Sequence, residues 1–367
     1  MIYLDNAATS LPKPPAVERA VLEAMRSMAS VGRGSHRPAM RAADTVLDCR
    51  EAAAELFHVP DPERVVFTMN ATHGLNIALR SLVRPGDRVV ISGFEHNAVT
   101  RPLHAAGAEI TVAGRRLFDR DSVLRDFAAA LPGAKAAVCT QVSNVFGFAL
   151  PIGEIAELCK QYRVPLVVDA SQAAGMLPVD LAAWEAAFIA MPGHKGLFGP
   201  QGTGLLLCGR EAEPLLYGGS GSDSRLQSMP PDLPDRLEAG THNVCGIAGL
   251  LAGIRYVQEK GPETILRHER ECLRFFVREL EGSGLELFTG EGQTGVLSLR
   301  CPGTDGESLA QRLGEKGVCV RSGLHCAPLA HESAGTIETG TLRFSFSPFV
   351  HERQLRQAAG ILRDLTA

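Results

Sequence analysis

The chain has 367 residues, of which 45% are hydrophobic and 21% charged, and its formal net charge is −4. So much apolar content with so little net charge excludes a disordered chain. No run of about 18 or more apolar residues is present to span a membrane, and without a basic block nucleic acid is not an expected partner.

The length suggests two or three domains at roughly 100–200 residues each. The first residues, Met1 to Asn6, carry neither a charged nor an apolar segment of the secretory kind. Nine cysteines are scattered without a C-x-x-C pair, so reduced thiols and a cytoplasmic location are expected. From residue 64 the chain alternates strand-like and helix-like segments. Arg64–Thr68 reads as a strand and Ala71–Leu82 as a helix. Asp87–Ser92 is a second strand, followed by a helix from about His96. Glu109–Ala113, Lys135–Gln141, Val164–Asp169, Ala187–Met191 and Gly202–Cys208 are five more strand candidates. Continuous apolar strands with helices between them imply a mostly parallel sheet buried on both faces. Tyr217–Pro234 is rich in Gly, Ser and Pro and reads as a long functional loop.

After Gly240 the pattern changes. Helices are expected at Val244–Val257, Glu263–Leu280, Glu307–Glu315 and Glu352–Leu365, with short strands near Gly295–Leu299, Val318–Arg321 and Thr341–Ser345. The expected fold class is therefore α/β, with a large domain over 15–255. A small α+β domain is expected from 1–14 and 256–367.

The chemistry concentrates at the ends of the strands. Lys195 follows a strand in the glycine-rich run Met191 to Gly202. A lysine there is a phosphate ligand or a Schiff-base amine, and Gly196 excludes a P-loop, which needs Ser or Thr at that position. A GHKG turn on its own is more often simply solvated. Asp169 ends another strand, where a carboxylate points into the ligand crevice of an open sheet or merely caps the next helix. Asn70-Ala71-Thr72 opens a helix whose free N–H groups suit an anion or need only a cap. His96 and Asn144 follow two further strands. A phosphate cradle, an imidazole, an amide, a carboxylate and a lysine on one sheet edge are together the equipment for pyridoxal 5′-phosphate.

At this point a resemblance is plain. The sequence resembles the fold-type I pyridoxal-phosphate enzymes of the class V aminotransferase superfamily, and within it the cysteine desulfurase and selenocysteine lyase family. The matching motifs run in family order through the chain: YLDNAAT at 3–9, ATHG, EHNA, QVSNVFG, VDASQ, GHKGLFGPQGTG, LEAGTHN and RSGLHCAP. The resemblance implies a seven-stranded large sheet and makes Lys195 the lysine that carries the cofactor. It sets Asp169 at the pyridine nitrogen, Gln172 near the phenolic oxygen and His96 on the ring face. Ala71, Thr72 and His194 match the phosphate cradle. Thr241 matches a residue that reaches the phosphate from a second subunit, which implies a homodimer. Asn144 and Arg343 match groups that hold the substrate carboxylate, a task suited to the Arg fork.

Cys326, in the RSGLHCAP loop, matches the nucleophilic cysteine of the group II, Suf-type enzymes. Two positions depart from the family: Pro192 stands where Ser or Thr is usual, and Leu324 where a second His is common. The spacing of Cys319, His325, Cys326 and His331 fits no usual zinc pattern, so no metal is expected. Cys319 reads as a packed strand residue, and the other cysteines as core or surface-helix residues. A loop thiol near basic groups can become a reactive thiolate. The function implied is an L-cysteine desulfurase that leaves a persulfide on Cys326 and releases L-alanine. A sulfur-acceptor protein is then an expected partner, with iron–sulfur cluster assembly as one use. A selenocysteine lyase using the same residues on L-selenocysteine, and a sulfur-relay scaffold with little turnover, are the alternatives.

Overall fold

The computed structural model describes residues 1–32, 34–222 and 224–366. Asp223, within the Gly/Ser-rich loop noted above, lies outside the described residues. The chain opens with a short strand, β1 (Ile2–Tyr3), and two helices, α1 (Pro15–Ser27) and α2 (Arg37–Leu56). An alternating series follows: β2 (Val65–Thr68), α3 (Ala71–Leu82), β3 (Arg88–Ser92), α4 (Asn97–Ala105), β4 (Glu109–Ala113), α5 (Arg120–Ala130), β5 (Ala136–Thr140), α6 (Ile152–Tyr162), β6 (Leu166–Asp169), α7 (Leu181–Trp184), β7 (Phe188–Pro192) and β8 (Gly204–Cys208).

These strands form one seven-stranded sheet in the order β2-β8-β7-β6-β5-β3-β4. All neighbours from β7 to β4 pair in parallel, and only β8 runs antiparallel to both of its neighbours. Side chains alternate between two buried layers. Val66, Ile91, Val138, Val167 and Leu206 face one layer; Phe67, Val90, Ala137, Val168 and Leu205 face the other. Burial on both faces is why the strands other than the edge strand β4 read as largely unbroken apolar runs.

The second part begins with a long apolar helix, α8 (Val244–Lys260), packed on α1 and α2, and continues with α9 (Pro262–Glu279). A four-stranded antiparallel sheet follows in the order β12-β13-β10-β9. It is built from β9 (Glu286–Phe288), β10 (Val296–Arg300), β12 (Arg321–Gly323) and β13 (Thr341–Ser345). Between them lie α10 (Gly306–Glu315), β11 (Val318–Cys319) and α11 (Pro328–Ala334), and α12 (Glu352–Thr366) closes the chain. The single strand expected over Val318–Arg321 is two. The chain changes partner at Val320, so that β11 pairs in parallel with β1 and β12 pairs with β13. Cys319 accordingly sits half-buried beside Tyr3 rather than inside a packed strand. Cys301 is half-buried just past β10, neither in the core nor on a helix. Among the described residues, no helix is long and apolar enough to cross a membrane.

Candidate active site

The carboxyl ends of β2, β3, β5, β6 and β7 open onto one cavity of about 210 Å³. The strand-to-helix turns set its walls. Asn70 caps α3 by accepting from His73 N at 2.9 Å, which leaves Ala71 and Thr72 at the mouth of that helix. His96 caps α4, its Nδ1 accepting from Ala98 N at 3.0 Å. Asp169 Oδ1 accepts from Ser171 N at 2.9 Å, which fastens a turn and caps no helix, since the next helix starts at Leu181, and the buried side chain also lines the cavity. Asn144, Gln172, His194 and Lys195 complete the large-sheet side.

The opposite wall comes from the four-stranded sheet and its loops: Arg321, His325, Cys326 and Arg343. The site is thus assembled between two sheets and two stretches of chain over a hundred residues apart. Cys326 is exposed and Arg343 is buried. Arg343 Nη2 donates to Asp5 Oδ1 at 2.7 Å and Nη1 to Asn144 O at 3.0 Å. Asn144 Nδ2 in turn donates to His325 O at 2.9 Å, and Gln172 Nε2 to Ala7 O at 2.9 Å.

Burial sets the protonation states. It lowers the Lys195 amine to about 8, against the opposing pull of Asp169. An amine so placed is partly neutral near neutral pH and able to attack an aldehyde or accept a proton. His96 and His194 are each pushed down to about 4, chiefly by burial, and both are neutral rings. Because His96 Nδ1 accepts a hydrogen bond, its proton sits on Nε2. Behind this wall Glu95 is buried and pushed up to about 8, accepting from Thr140 N at 2.7 Å.

Of the residues singled out from sequence, Lys195, His96, Ala71, Thr72, Asn144, Asp169, Gln172, His194, Arg343 and Cys326 converge on this cavity. Thr241 does not. It is exposed and lines a separate cavity with Met69, His73 and Gly202. Its loop is nonetheless firmly fastened. Glu238 accepts from Arg50 Nη1 at 2.8 Å and from Phe67 N at 2.6 Å, and its Oε2 lies 3.2 Å from His242 Nε2. Two residues had no assigned part: Arg321, which lines the wall, and Asp5, which reaches the site only through Arg343. For Arg321 the signal is its place five residues before Cys326. The Asp5–Arg343 pair, by contrast, spans 338 residues and leaves no local trace. No group of three or more His, Cys, Asp or Glu side chains among the described residues is arranged to hold a metal ion.

A lysine made partly neutral by burial, set among strand-end polar groups of a doubly wound sheet, defines an enzyme cleft. The chain belongs to the class-V aminotransferase family, whose model matches residues 2–357. It is 30% identical to a protein of Pyrococcus abyssi named "Probable cysteine desulfurase", over all of this chain and 94% of that one. It is 32% identical to the cysteine desulfurase of Escherichia coli O157:H7, over 89% of this chain and 84% of that one. The apo structure of a cysteine desulfurase from Thermococcus onnurineus NA1 superposes with a TM-score of 0.92 at 30% identity. That match covers 100% of this chain and 94% of the other.

Proposed function

We propose that this chain is a pyridoxal 5′-phosphate-dependent L-cysteine desulfurase. The observation that carries the reading is the shared cavity, which faces the partly neutral Lys195 amine with the exposed Cys326 thiol. The residues present suit the cofactor. Lys195 would hold its aldehyde carbon, Asp169 its ring nitrogen, and the α3 N-terminus with Ala71, Thr72 and His194 its phosphate. Gln172 and the neutral His96 ring would border the ring. When bound, the cofactor supplies an electron sink for the substrate's Cα.

The protein's own groups do the rest. Arg343 and Arg321 offer guanidinium groups to the substrate carboxylate, and Asn144 bridges Arg343 to the Cys326 loop. Lys195, once free, accepts the Cα proton. The Cys326 thiolate then attacks the substrate's sulfur. The S–S bond forms as the substrate's Cβ–S bond breaks, and that electron pair stays with the carbon skeleton, which takes a proton and leaves as L-alanine. The sulfur remains on Cys326 as a persulfide for an acceptor protein. The neutral His96 Nε2–H is one group able to exchange a proton beside Lys195.

The same reading takes 15–255 as the large domain and 1–14 with 256–367 as the small one. It places the enzyme in the cytoplasm as a homodimer, with Thr241 serving the partner's site. The test is alanine release from L-cysteine and from L-selenocysteine, with and without a thiol acceptor. Stoichiometric alanine and a persulfide on Cys326 are expected. Turnover on selenocysteine alone would replace the reading by a lyase, and one equivalent without turnover by a relay.

A further inference from the structure

His325 and Cys326 are consecutive non-glycine residues with positive φ, 49° and 56°. Left-handed backbone is unfavourable for an L-residue, so the surroundings must hold both. Asn144 holds the His325 carbonyl, as described, and Asn97 N donates to Cys326 O at 2.8 Å. The third hold is the His325 ring, whose Nε2 lies 3.1 Å from Thr341 O in β13.

This ring does not stand alone. His331, on α11, is fully buried, and its ring centroid lies 5.8 Å from that of His325 at an interplanar angle of 30°. Each ring has one engaged nitrogen and one buried nitrogen without a partner, Nδ1 of His325 and Nε2 of His331. A carbonyl only accepts, and Thr341 Oγ1, 3.2 Å from the same nitrogen, has Ser298 Oγ at 3.1 Å to take its proton, because Ser298 Oγ itself donates to Val145 O; His325 therefore carries its proton on Nε2 and its Nδ1 is a bare acceptor. Thr336 Oγ1 lies 2.7 Å from His331 Nδ1. If the hydroxyl donates there, His331 keeps its proton on Nε2, so one of the two unpartnered nitrogens is a donor and the other an acceptor, with no direct hydrogen bond between them. The opposite tautomer would leave two buried acceptors with nothing to accept, which is costly. Burial holds both rings below their ordinary pKa, and the charges next felt by His325, Arg343 and Arg321, also oppose its protonation.

We infer that Thr336, His331 and His325 form a directed chain, Oγ–H of Thr336 to Nδ1 of His331 and, through one bridging water, Nε2–H of His331 to Nδ1 of His325. It makes His325 the peg that holds the Cys326 backbone in its left-handed turn. His325 is then a positioning residue for the thiol, and His331 positions His325. The activity arm of the test rests on the desulfurase reading; the other two arms do not.

The first arm is ¹⁵N NMR of histidine-labelled protein. Both rings are expected neutral with the proton on Nε2; a proton on Nδ1 of either ring overturns the chain. The second is alkylation of Cys326 by iodoacetamide. His325→Ala should change its rate several-fold, and His325→Gln, which keeps a donor for Thr341 O, should stay near wild type. The third is alanine release, where His325→Ala should lower kcat on the order of tenfold or more with KM little changed. An alanine variant that alkylates and turns over like wild type removes His325 from this role. A wild-type protein that releases no alanine fails the functional reading, while the first two arms still decide the inference. If His325→Ala does not fold, the tautomers and the His325→Gln rate decide it.

Discussion

Asp5 and Arg343 meet at 2.7 Å although 338 residues separate them. The contact ties the first strand-turn of the chain to the centre of the four-stranded sheet, and Arg343 has no other carboxylate partner among the described residues. An unpaired buried guanidinium is strongly destabilising, so Asp5 is as much a part of the site's frame as the strands are.

Arg343→Ala should therefore raise KM for cysteine far more than it weakens cofactor binding. Loss of a carboxylate contact in a partly buried site costs on the order of 2–5 kcal/mol. Asp5→Asn, by contrast, keeps the guanidinium and removes its counter-charge, so its main effect should be a lower unfolding free energy, by about 3 kcal/mol. Substrate titrations and denaturant unfolding of the two variants separate these outcomes. An unchanged KM in Arg343→Ala would take the residue out of substrate binding.

Glu269, on α9, is buried against Gly295, and burial alone pushes it up to about 8 from an ordinary 4.5. Between those two pH values the folded chain holds a proton that the unfolded chain has released. Stability contributed by this group therefore falls as pH rises through the window. Glu269→Gln has no such proton. The unfolding free energy of the variant minus that of wild type should grow from pH 4.5 to pH 8. A difference that is flat with pH would mean that Glu269 is charged in the fold.

Thr241 stands apart from Lys195 within one chain, and the proposed homodimer would bring it to the partner's site. Lys195→Ala and Thr241→Ala, each nearly inactive by itself, should complement when unfolded together and refolded as mixed dimers. One site of each mixed dimer is then intact, so on the order of a quarter of wild-type activity should return. No recovery, with mixed dimers shown by mass, would put Thr241 outside the partner's site.

The central sheet is legible because its strands other than the edge strand β4 obey a simple rule: both faces are buried, so the apolar run is continuous from Val65 to Phe67 or Leu166 to Val168. Helices α1 and α2 are harder to read. Leu22, Met25, Met40 and Leu47 are exposed on them and blur the apolar stripe that marks a packed helix. The break at Val320 is invisible in sequence, because the switch between β1 and β13 as partners is decided by tertiary pairing. In the same way a strand-end lysine or aspartate announces itself by position. Asp5 and His331 enter the site only through contacts with distant Arg343 and with a neighbouring ring.

Cys326 carries the sharpest prediction. Replacing it by Ala removes the attacking sulfur and leaves Lys195, Asp169 and Arg343 in place. Cys326→Ala should still bind cysteine and perturb the cofactor's absorption, yet carry no persulfide and release alanine far more slowly than wild type. Selenium leaves more readily than sulfur, so activity on selenocysteine that survives in this variant would favour the lyase reading. Cys319→Ala is the control. That thiol is half-buried at the end of β11, beside Tyr3. Its loss removes packing and no chemistry, and the cost should be below the 2–5 kcal/mol of a large-to-Ala change in a closed core. Mass mapping of the persulfide decides between the two cysteines. Sulfur found on Cys319, or normal desulfuration by Cys326→Ala, would require a different nucleophile and a different mechanism.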